Sequence, residues 1–310
     1  MKEKNQPKVE ELKKRIKKIK EERSSYVPLL NFFEKLFSAE LNHAPHITLD
    51  DDDLREDLAL IKIREGFPLL RKEKITVDLG SSEKNFQTLC RIAEKENREL
   101  EDAVKEIREA LQIKKINLKR LFENCIREEV FLSPELESLN LPLLSLLLRH
   151  SVQPSLRAIA SRLKHLINED FWEKGYCPIC GSPPFFSALR GEEGERIFFC
   201  SYCSHEWKGR RLSCPFCENT DPQSLRYLYI EKESEYRIDL CEKCKKYIKT
   251  VDTRKLGGPI FPELEDISTL HLDILAEEEG FAGIRSIKNL FFENTPSCRT
   301  ELKGENENGF

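Results

Sequence analysis

No apolar stretch in this chain approaches the length of a membrane span. The densest run, Leu139 to Leu148, covers about half of one and contains Pro142. A bilayer helix needs about 20 apolar residues, so the run is read as a buried helix with no membrane insertion. An export signal is missing as well: Met1 is followed by Lys-Glu-Lys-Asn-Gln, with no apolar core behind it. Charge of one sign is not in excess either. Lys and Arg number 51 against 55 Asp and Glu, and the net charge of −4 makes no global case for nucleic-acid binding. Also missing are a phosphate-binding Gly-Lys loop, a dinucleotide fingerprint, a nucleophile elbow and a zinc-protease helix. What remains is a chain of 310 residues, 39% apolar and 34% charged, with a mean hydropathy of −0.53. It has room for two or three domains and describes a soluble, cytoplasmic protein.

The first 170 residues read as helical. Val9, Leu12, Ile16 and Ile19 form one apolar stripe, and Leu29, Leu30, Phe33, Leu36 and Phe37 a second. The run Asp50 to Asp53 suits the N-terminus of a helix carrying Leu54, Leu58 and Ile61. The longest expected helix runs from Ser82 to Gln112; shorter ones follow around Lys119–Phe131, Pro142–His150 and Pro154–Asn168, with Pro134, Pro142 and Pro154 marking breaks or first turns. From Gly175 the texture becomes one of short strands and turns. Ile197–Phe199, Leu225–Ile230 and Tyr236–Leu240 read as strands, with a hairpin loop at Gly191–Gly194. A helix over Leu264–Glu279 follows, and the polar tail from Thr295 reads as disordered.

The richest signal is cysteine. Eight of the 11 cysteines fall in four Cys-x-x-Cys pairs: Cys177/Cys180, Cys200/Cys203, Cys214/Cys217 and Cys241/Cys244. In a reducing compartment such clusters are metal ligands far more often than disulfides. Two cysteines three positions apart reach one ion from a tight turn, and a second pair some way on closes the tetrahedron. The gaps are 19 residues from Cys180 to Cys200 and 23 from Cys217 to Cys241, against 10 between Cys203 and Cys214. The simplest partition is two consecutive ribbons, each holding one ion with four sulfurs. Tetrathiolate sites suit zinc and iron alike. A glycine just past the second cysteine eases the turn into positive φ. Only Gly181 occupies that place; the other three turns carry Ser204, Glu218 and Lys245.

Other candidates carry less. His205 reads as a solvent-facing turn residue, and His43-Ala-Pro-His46 as loop histidines despite their metal-like spacing. Cys90 and Cys125 sit on apolar helix faces as buried thiols, and Cys298 is incidental. The basic segment Lys13–Lys20 is bracketed by Glu10, Glu11, Glu21 and Glu22, which fits a solvated amphipathic helix.

Several stretches together resemble the FdhE (formate dehydrogenase formation protein) family. They are Cys177-Pro-Ile-Cys180-Gly-Ser-Pro183, Cys200-Ser-Tyr-Cys203-Ser-His-Glu-Trp207, Arg210-Arg211 before Cys214-Pro-Phe-Cys217, Cys241-Glu-Lys-Cys244-Lys-Lys-Tyr247-Ile-Lys249, and Asp266 to Phe281. The resemblance is specific over about residues 170–285 and looser before that. It implies an α+β fold: an all-α domain over 1–170, rubredoxin-like ribbons at 171–211 and 212–252, a helical segment at 253–294 and a tail at 295–310. It also implies a cytoplasmic, non-enzymatic assembly factor. Such a factor binds the catalytic subunit of a molybdenum or tungsten formate dehydrogenase, with two iron or zinc ions on the eight paired cysteines. Trp207, Arg210, Arg211 and Tyr247 match motif positions, and packing and salt-bridging beside the ribbons is the simpler role for them. Two other functions compete. One is a zinc-ribbon nucleic-acid binder, motivated by Lys208, Arg210, Arg211, Lys243, Lys245, Lys246 and Lys249. The other is a rubredoxin-like electron-transfer or thiol-redox factor.

Overall fold

A computed structural model describes residues 2–128, 136, 138–285 and 303–305. The chain divides into two compact units, one formed by residues 1–50 and 71–159, the other by 51–70 and 160–310. Among the described residues no helix is long and apolar enough to cross a membrane.

The first unit is helical. Helices α1 (Lys2–Glu22) and α2 (Val27–Asn42) are followed by α4 (Leu79–Glu94), α5 (Arg98–Gln112) and α6 (Leu118–Arg127); α3 (Glu56–Arg64) belongs to the second unit. Leu12, Ile16 and Ile19 are buried on α1, and Leu30, Phe33, Leu36 and Phe37 on α2, as their spacing requires. The single helix expected from Ser82 to Gln112 is in fact two. Asn97 caps the second, its side-chain oxygen accepting from the Leu100 N–H at 2.8 Å, and such a cap requires extended backbone that a continuous helix cannot supply.

Pro154 corrects the expectation in the opposite direction. Helix α7 (Leu141–Leu163) runs straight through it. Proline has no N–H to give to the carbonyl four residues back, which here belongs to His150. The buried Asn85 amide donates to that carbonyl at 3.1 Å and approaches the Ser151 carbonyl at 3.4 Å. The orphaned acceptor is thereby satisfied and the helix continues.

The second unit is built on a sheet with spatial order β3-β2-β1-β6-β5-β4-β7. Its strands are β1 (Pro184–Arg190), β2 (Glu195–Cys200), β3 (Glu206–Gly209), β4 (Leu225–Tyr229), β5 (Tyr236–Cys241), β6 (Lys246–Asp252) and the short β7 (Lys303–Glu305). Each ribbon contributes a three-stranded antiparallel meander. β1 pairs with β6 in parallel, Phe186 opposite Lys249 and Ala188 opposite Val251, so the two ribbons share one continuous sheet. The tail expected to be disordered lies largely outside the described residues, and its residues 303–305 pair with β4.

Alternation sorts the two faces of this sheet. Phe186, Ala188, Ile238, Leu240 and Val251 pack with Leu272, Leu275 and Ala276 of α10 (Leu270–Glu278). The opposite face carries a buried polar row. Ser187 Oγ lies 2.6 Å from Thr250 Oγ1, which donates to Asp239 Oδ2 at 2.6 Å. Arg196 donates to the same carboxylate oxygen at 2.7 Å. The helix expected over Leu264–Glu279 is broken into α9 (Pro262–Ile267) and α10. At the break, the hydroxyls of Ser268 and Thr269 both donate to the Glu265 carbonyl, a local competition that favours interruption. Helix α8 (Thr253–Leu256) joins β6 to this pair.

Candidate metal centres

Each centre is assembled from two turns of one ribbon. In the first turn of each, the N–H of the leading cysteine donates to the carbonyl five residues on: Cys177 to Ser182 at 2.9 Å and Cys214 to Asn219 at 2.8 Å. The residue after the second cysteine then donates back to the leading carbonyl, as Gly181 does to Cys177 and Glu218 to Cys214, both at 2.9 Å. Lys245 does the same to Cys241 at 2.9 Å. All four turns place this residue at positive φ: Gly181 at 74°, Ser204 at 56°, Glu218 at 57° and Lys245 at 56°. Three non-glycine residues thus accept the left-handed conformation, at a cost of about 1–2 kcal/mol each.

The turns bring the sulfurs together in the expected partition. Cys177, Cys180, Cys200 and Cys203 form one group, and Cys214, Cys217, Cys241 and Cys244 the other, with all ligand atoms of a group within 4.8 Å of one another. In the first group Cys177 and Cys203 are 3.6 Å apart, Cys180 and Cys200 3.4 Å, and Cys180 and Cys203 3.6 Å. In the second, Cys214 and Cys244 are 3.6 Å apart and Cys217 and Cys241 3.7 Å. A tetrahedron with metal–sulfur bonds of about 2.3 Å has edges of about 3.8 Å, whereas a disulfide needs about 2.05 Å. These spacings fit a shared cation and not a bond between sulfurs. Burial pushes the Cys177 and Cys203 thiols upward, so four thiolates at such a point require the positive charge of an ion. Both groups could therefore hold a metal ion.

The surroundings include features absent from the sequence reading. Residues 68–70, far away in sequence, lie on the first centre. The N–H groups of Leu69 and Leu70 donate to the carbonyls of Pro178 and Ile179 at 2.9 and 2.8 Å. Tyr176 donates its hydroxyl to the Gly66 carbonyl at 2.8 Å. Near the second centre the Asn219 amide sits 3.8 Å from the Cys241 sulfur and donates to Ser224 Oγ at 2.6 Å. No periodicity marks contacts of this kind; the asparagine five residues after Cys214 was the one available cue.

Gly175 connects this region to the second centre. A Cβ on it would lie 2.0 Å from the Pro215 carbonyl oxygen, a backbone atom in the Cys214–Cys217 turn. Gly175→Ala must displace that turn, and we expect it to lower stability by about 1–3 kcal/mol. A chemical-denaturation midpoint equal to that of the parent chain would contradict this.

The motif residues outside the cysteines are structural in their contacts. Trp207 is buried, packs at a tilt against Phe198 with ring centroids 5.7 Å apart, and donates its ring N–H to the Lys174 carbonyl at 3.2 Å. Arg210 pairs with Glu173 on the surface, and Arg211 donates to the Glu193 carbonyl at 3.0 Å. Tyr247 is buried and donates its hydroxyl to Asp273 Oδ1 at 2.7 Å. The solvent-facing role expected for His205 is corrected: its Nε2 is buried, and burial lowers the ring to about 4. His43 bonds Ser81 at 2.7 Å instead of joining His46 at a metal. Cys90 is fully buried and Cys125 partly so, and burial pushes their thiols up to about 12 and about 11. Both are therefore unreactive thiols near neutral pH. Cys298 lies outside the described residues.

Tyr247 leads into a buried charge cluster. Lys249 Nζ lies 2.7 Å from Asp266 Oδ1 and 2.6 Å from Asp273 Oδ2. Burial pushes Asp273 up to about 6 from its ordinary 3.8; Lys249 opposes this and Asp266 reinforces it. The folded state then binds this proton more tightly than the unfolded chain does. Its contribution to stability is absent well above pH 6, grows as pH falls through 6, and is complete below 3.8. With metal kept saturating, the parent chain should gain roughly 1.4 kcal/mol from this group between pH 7.5 and 5. Asp273→Asn should flatten that gain; an identical slope in both proteins would refute the assignment.

Comparison with known proteins follows the same division. Residues 176–211 match the FdhE central domain and residues 212–292 the FdhE C-terminal domain. A protein FdhE homolog of Aquifex aeolicus is 40% identical over 134 residues, 42% of this chain and 46% of that protein. One from Edwardsiella ictaluri is 34% identical over 137 residues, 43% of each. These matches span less than half of the relatives' own length. The crystal structure of the FdhE protein from Pseudomonas aeruginosa superposes with a TM-score of 0.64 at 20% identity, covering 88% of this chain and 92% of that one. At that identity the likeness is one of fold, and it extends through the helical half.

Proposed function

From a chain that belongs to the FdhE family through residues 176–292, we propose a metal-binding accessory protein that acts in the formation of active formate dehydrogenase. The observation that carries this reading is one four-cysteine group on each of the two matched domains. Cys177, Cys180, Cys200 and Cys203 would hold one ion of iron or zinc, and Cys214, Cys217, Cys241 and Cys244 the other. Bound there, each ion cross-links two turns of a ribbon and, if it is iron, adds a one-electron couple. Four sulfurs complete the coordination and leave no position for a substrate or water, which supports an assembly role over catalysis. The proposed client is the catalytic subunit of a molybdenum or tungsten formate dehydrogenase, met in the cytoplasm. Co-purification with a tagged catalytic subunit tests this. A deletion strain should lose formate dehydrogenase activity; normal activity together with repeated absence of the chain from the purified subunit would defeat the proposal.

The nucleic-acid alternative loses most of its support. Lys208 pairs with Glu195, Arg210 with Glu173 and Lys245 with Glu242, while Lys249 is buried between two aspartates. Charges already matched by carboxylates release few counterions from a phosphate backbone. The electron-transfer alternative keeps one favourable observation, the partial exposure of Cys217 and Cys244. An oxidised iron-loaded chain should then show strong visible absorption and a reversible couple, and a colourless zinc protein would remove the idea.

A further inference from the structure

We propose that the two four-sulfur groups divide the labour: the group at Cys214, Cys217, Cys241 and Cys244 exchanges its metal with solution, and the group at Cys177, Cys180, Cys200 and Cys203 is a sealed structural site. The inference rests on the reading that both groups bind metal. It comes from an asymmetry that the sequence conceals, because the two ribbons repeat the same turn–hairpin–turn–strand order.

All four sulfur-bearing residues of the first group are closed off, with exposures of 0% for Cys177, 4% for Cys180, 0% for Cys200 and 3% for Cys203. Chain from distant positions covers both of its turns. Leu69 and Leu70 hydrogen-bond the Pro178 and Ile179 carbonyls of one turn. On the other, Ser204 Oγ donates to Glu263 Oε1 at 2.8 Å, and Arg285 donates to the Ser201 carbonyl at 2.7 Å while lying 3.6 Å over the Phe185 ring. In the second group only Cys214 and Cys241 are buried; Cys217 and Cys244, one from each turn, are partly exposed. The flanking Glu218, Lys243 and Lys245 are exposed. Lys245 pairs with Glu242 in its own turn, lies 5.0 Å over the Phe281 ring and accepts at its carbonyl from the Ala282 N–H at 2.9 Å, contacts that leave Cys217 and Cys244 partly exposed.

Exchange at a filled tetrahedral site needs an incoming donor to reach the metal edge as a sulfur leaves. At the second group Cys217 or Cys244 can serve as that leaving sulfur without any backbone opening. One metal–sulfur bond would break, one bond from the metal to the incoming nitrogen, oxygen or sulfur donor would form, and the freed thiolate would take a proton from water. No electron moves. At the first group the same step requires lifting 68–70 or the Ser204–Glu263 and Arg285 contacts, so it waits on local unfolding of the unit. The incoming ligand class is therefore a soluble nitrogen, oxygen or thiol donor small enough to approach an exposed knuckle.

The test uses the full chain loaded with zinc and challenged with excess 4-(2-pyridylazo)resorcinol, with pulses of iodoacetamide read by peptide mass spectrometry. The expected result is release of one equivalent at least about tenfold faster than the other, with Cys217 and Cys244 alkylated first. Two equivalents leaving at one rate, or first alkylation among Cys177, Cys180, Cys200 and Cys203, would overturn the division while leaving metal binding intact. A chain that takes up no zinc at the eight cysteines would end the metal-binding reading, and this inference with it.

Discussion

Cys180→Ser is expected to abolish metal binding at the first centre and with it the cooperative unfolding transition of the sheet unit. The Cys180 sulfur lies 3.4 Å from that of Cys200 and 3.6 Å from that of Cys203, so its loss opens one vertex of the sulfur tetrahedron. A structural tetrathiolate ion contributes roughly 10–16 kcal/mol in small zinc peptides. Whole domains are stable by only about 5–15 kcal/mol, and losing even half of the metal term leaves little margin. Metal analysis should return one equivalent at most, and thermal scans should lose the sheet unit's transition. Cys90→Ala is the control. That thiol is fully buried but belongs to neither sulfur group, so both ions should remain, with a packing cost of about 1–2 kcal/mol. If Cys180→Ser retains two ions and an unchanged transition, the first centre is not a metal site.

Lys249→Met should be the most damaging substitution outside the cysteines. The ammonium is buried, bonds the Asp266 carbonyl oxygen at 2.7 Å, and pairs with the Asp266 and Asp273 carboxylates at 2.7 and 2.6 Å. Methionine keeps much of the volume and removes the charge, leaving two carboxylates facing each other away from water. Breaking a buried pair this way costs about 3–5 kcal/mol. Because most of that cost is the stranded charge, adding Asp266→Asn and Asp273→Asn should restore a large part of it. Urea unfolding of the single and triple variants measures both numbers. A single variant as stable as its parent, or a triple variant no better than the single, would show that the cluster is held together by something other than charge.

The legible parts of this molecule were those governed by local chemistry. Leu12, Ile16 and Ile19 announce their helix because burial of one face imposes a period of about 3.6 residues. The cysteine turns announce theirs because bidentate capture of an ion imposes a fixed spacing. Illegible parts depended on partners far away in sequence. Pro154 reads as a break until Asn85, 69 residues earlier, supplies the missing donor. The strands β1, β3 and β6 went unread, and β6 makes sense only once it pairs in parallel with β1. His205 looked exposed because a turn residue usually is; here its Nε2 is buried.

The sequence by itself determined that eight cysteines fall into two successive sets of four. The gap lengths allow one economical partition, and each turn is closed by hydrogen bonds within five or six residues. Tertiary structure alone decided that the sets differ. The chain carries residues 68–70, Glu263 and Arg285 onto the first set, while two cysteines of the second stay partly exposed. Coordination geometry is a short-range property and is written in spacing. Access to a ligand depends on what the rest of the chain packs against it, and spacing does not encode that.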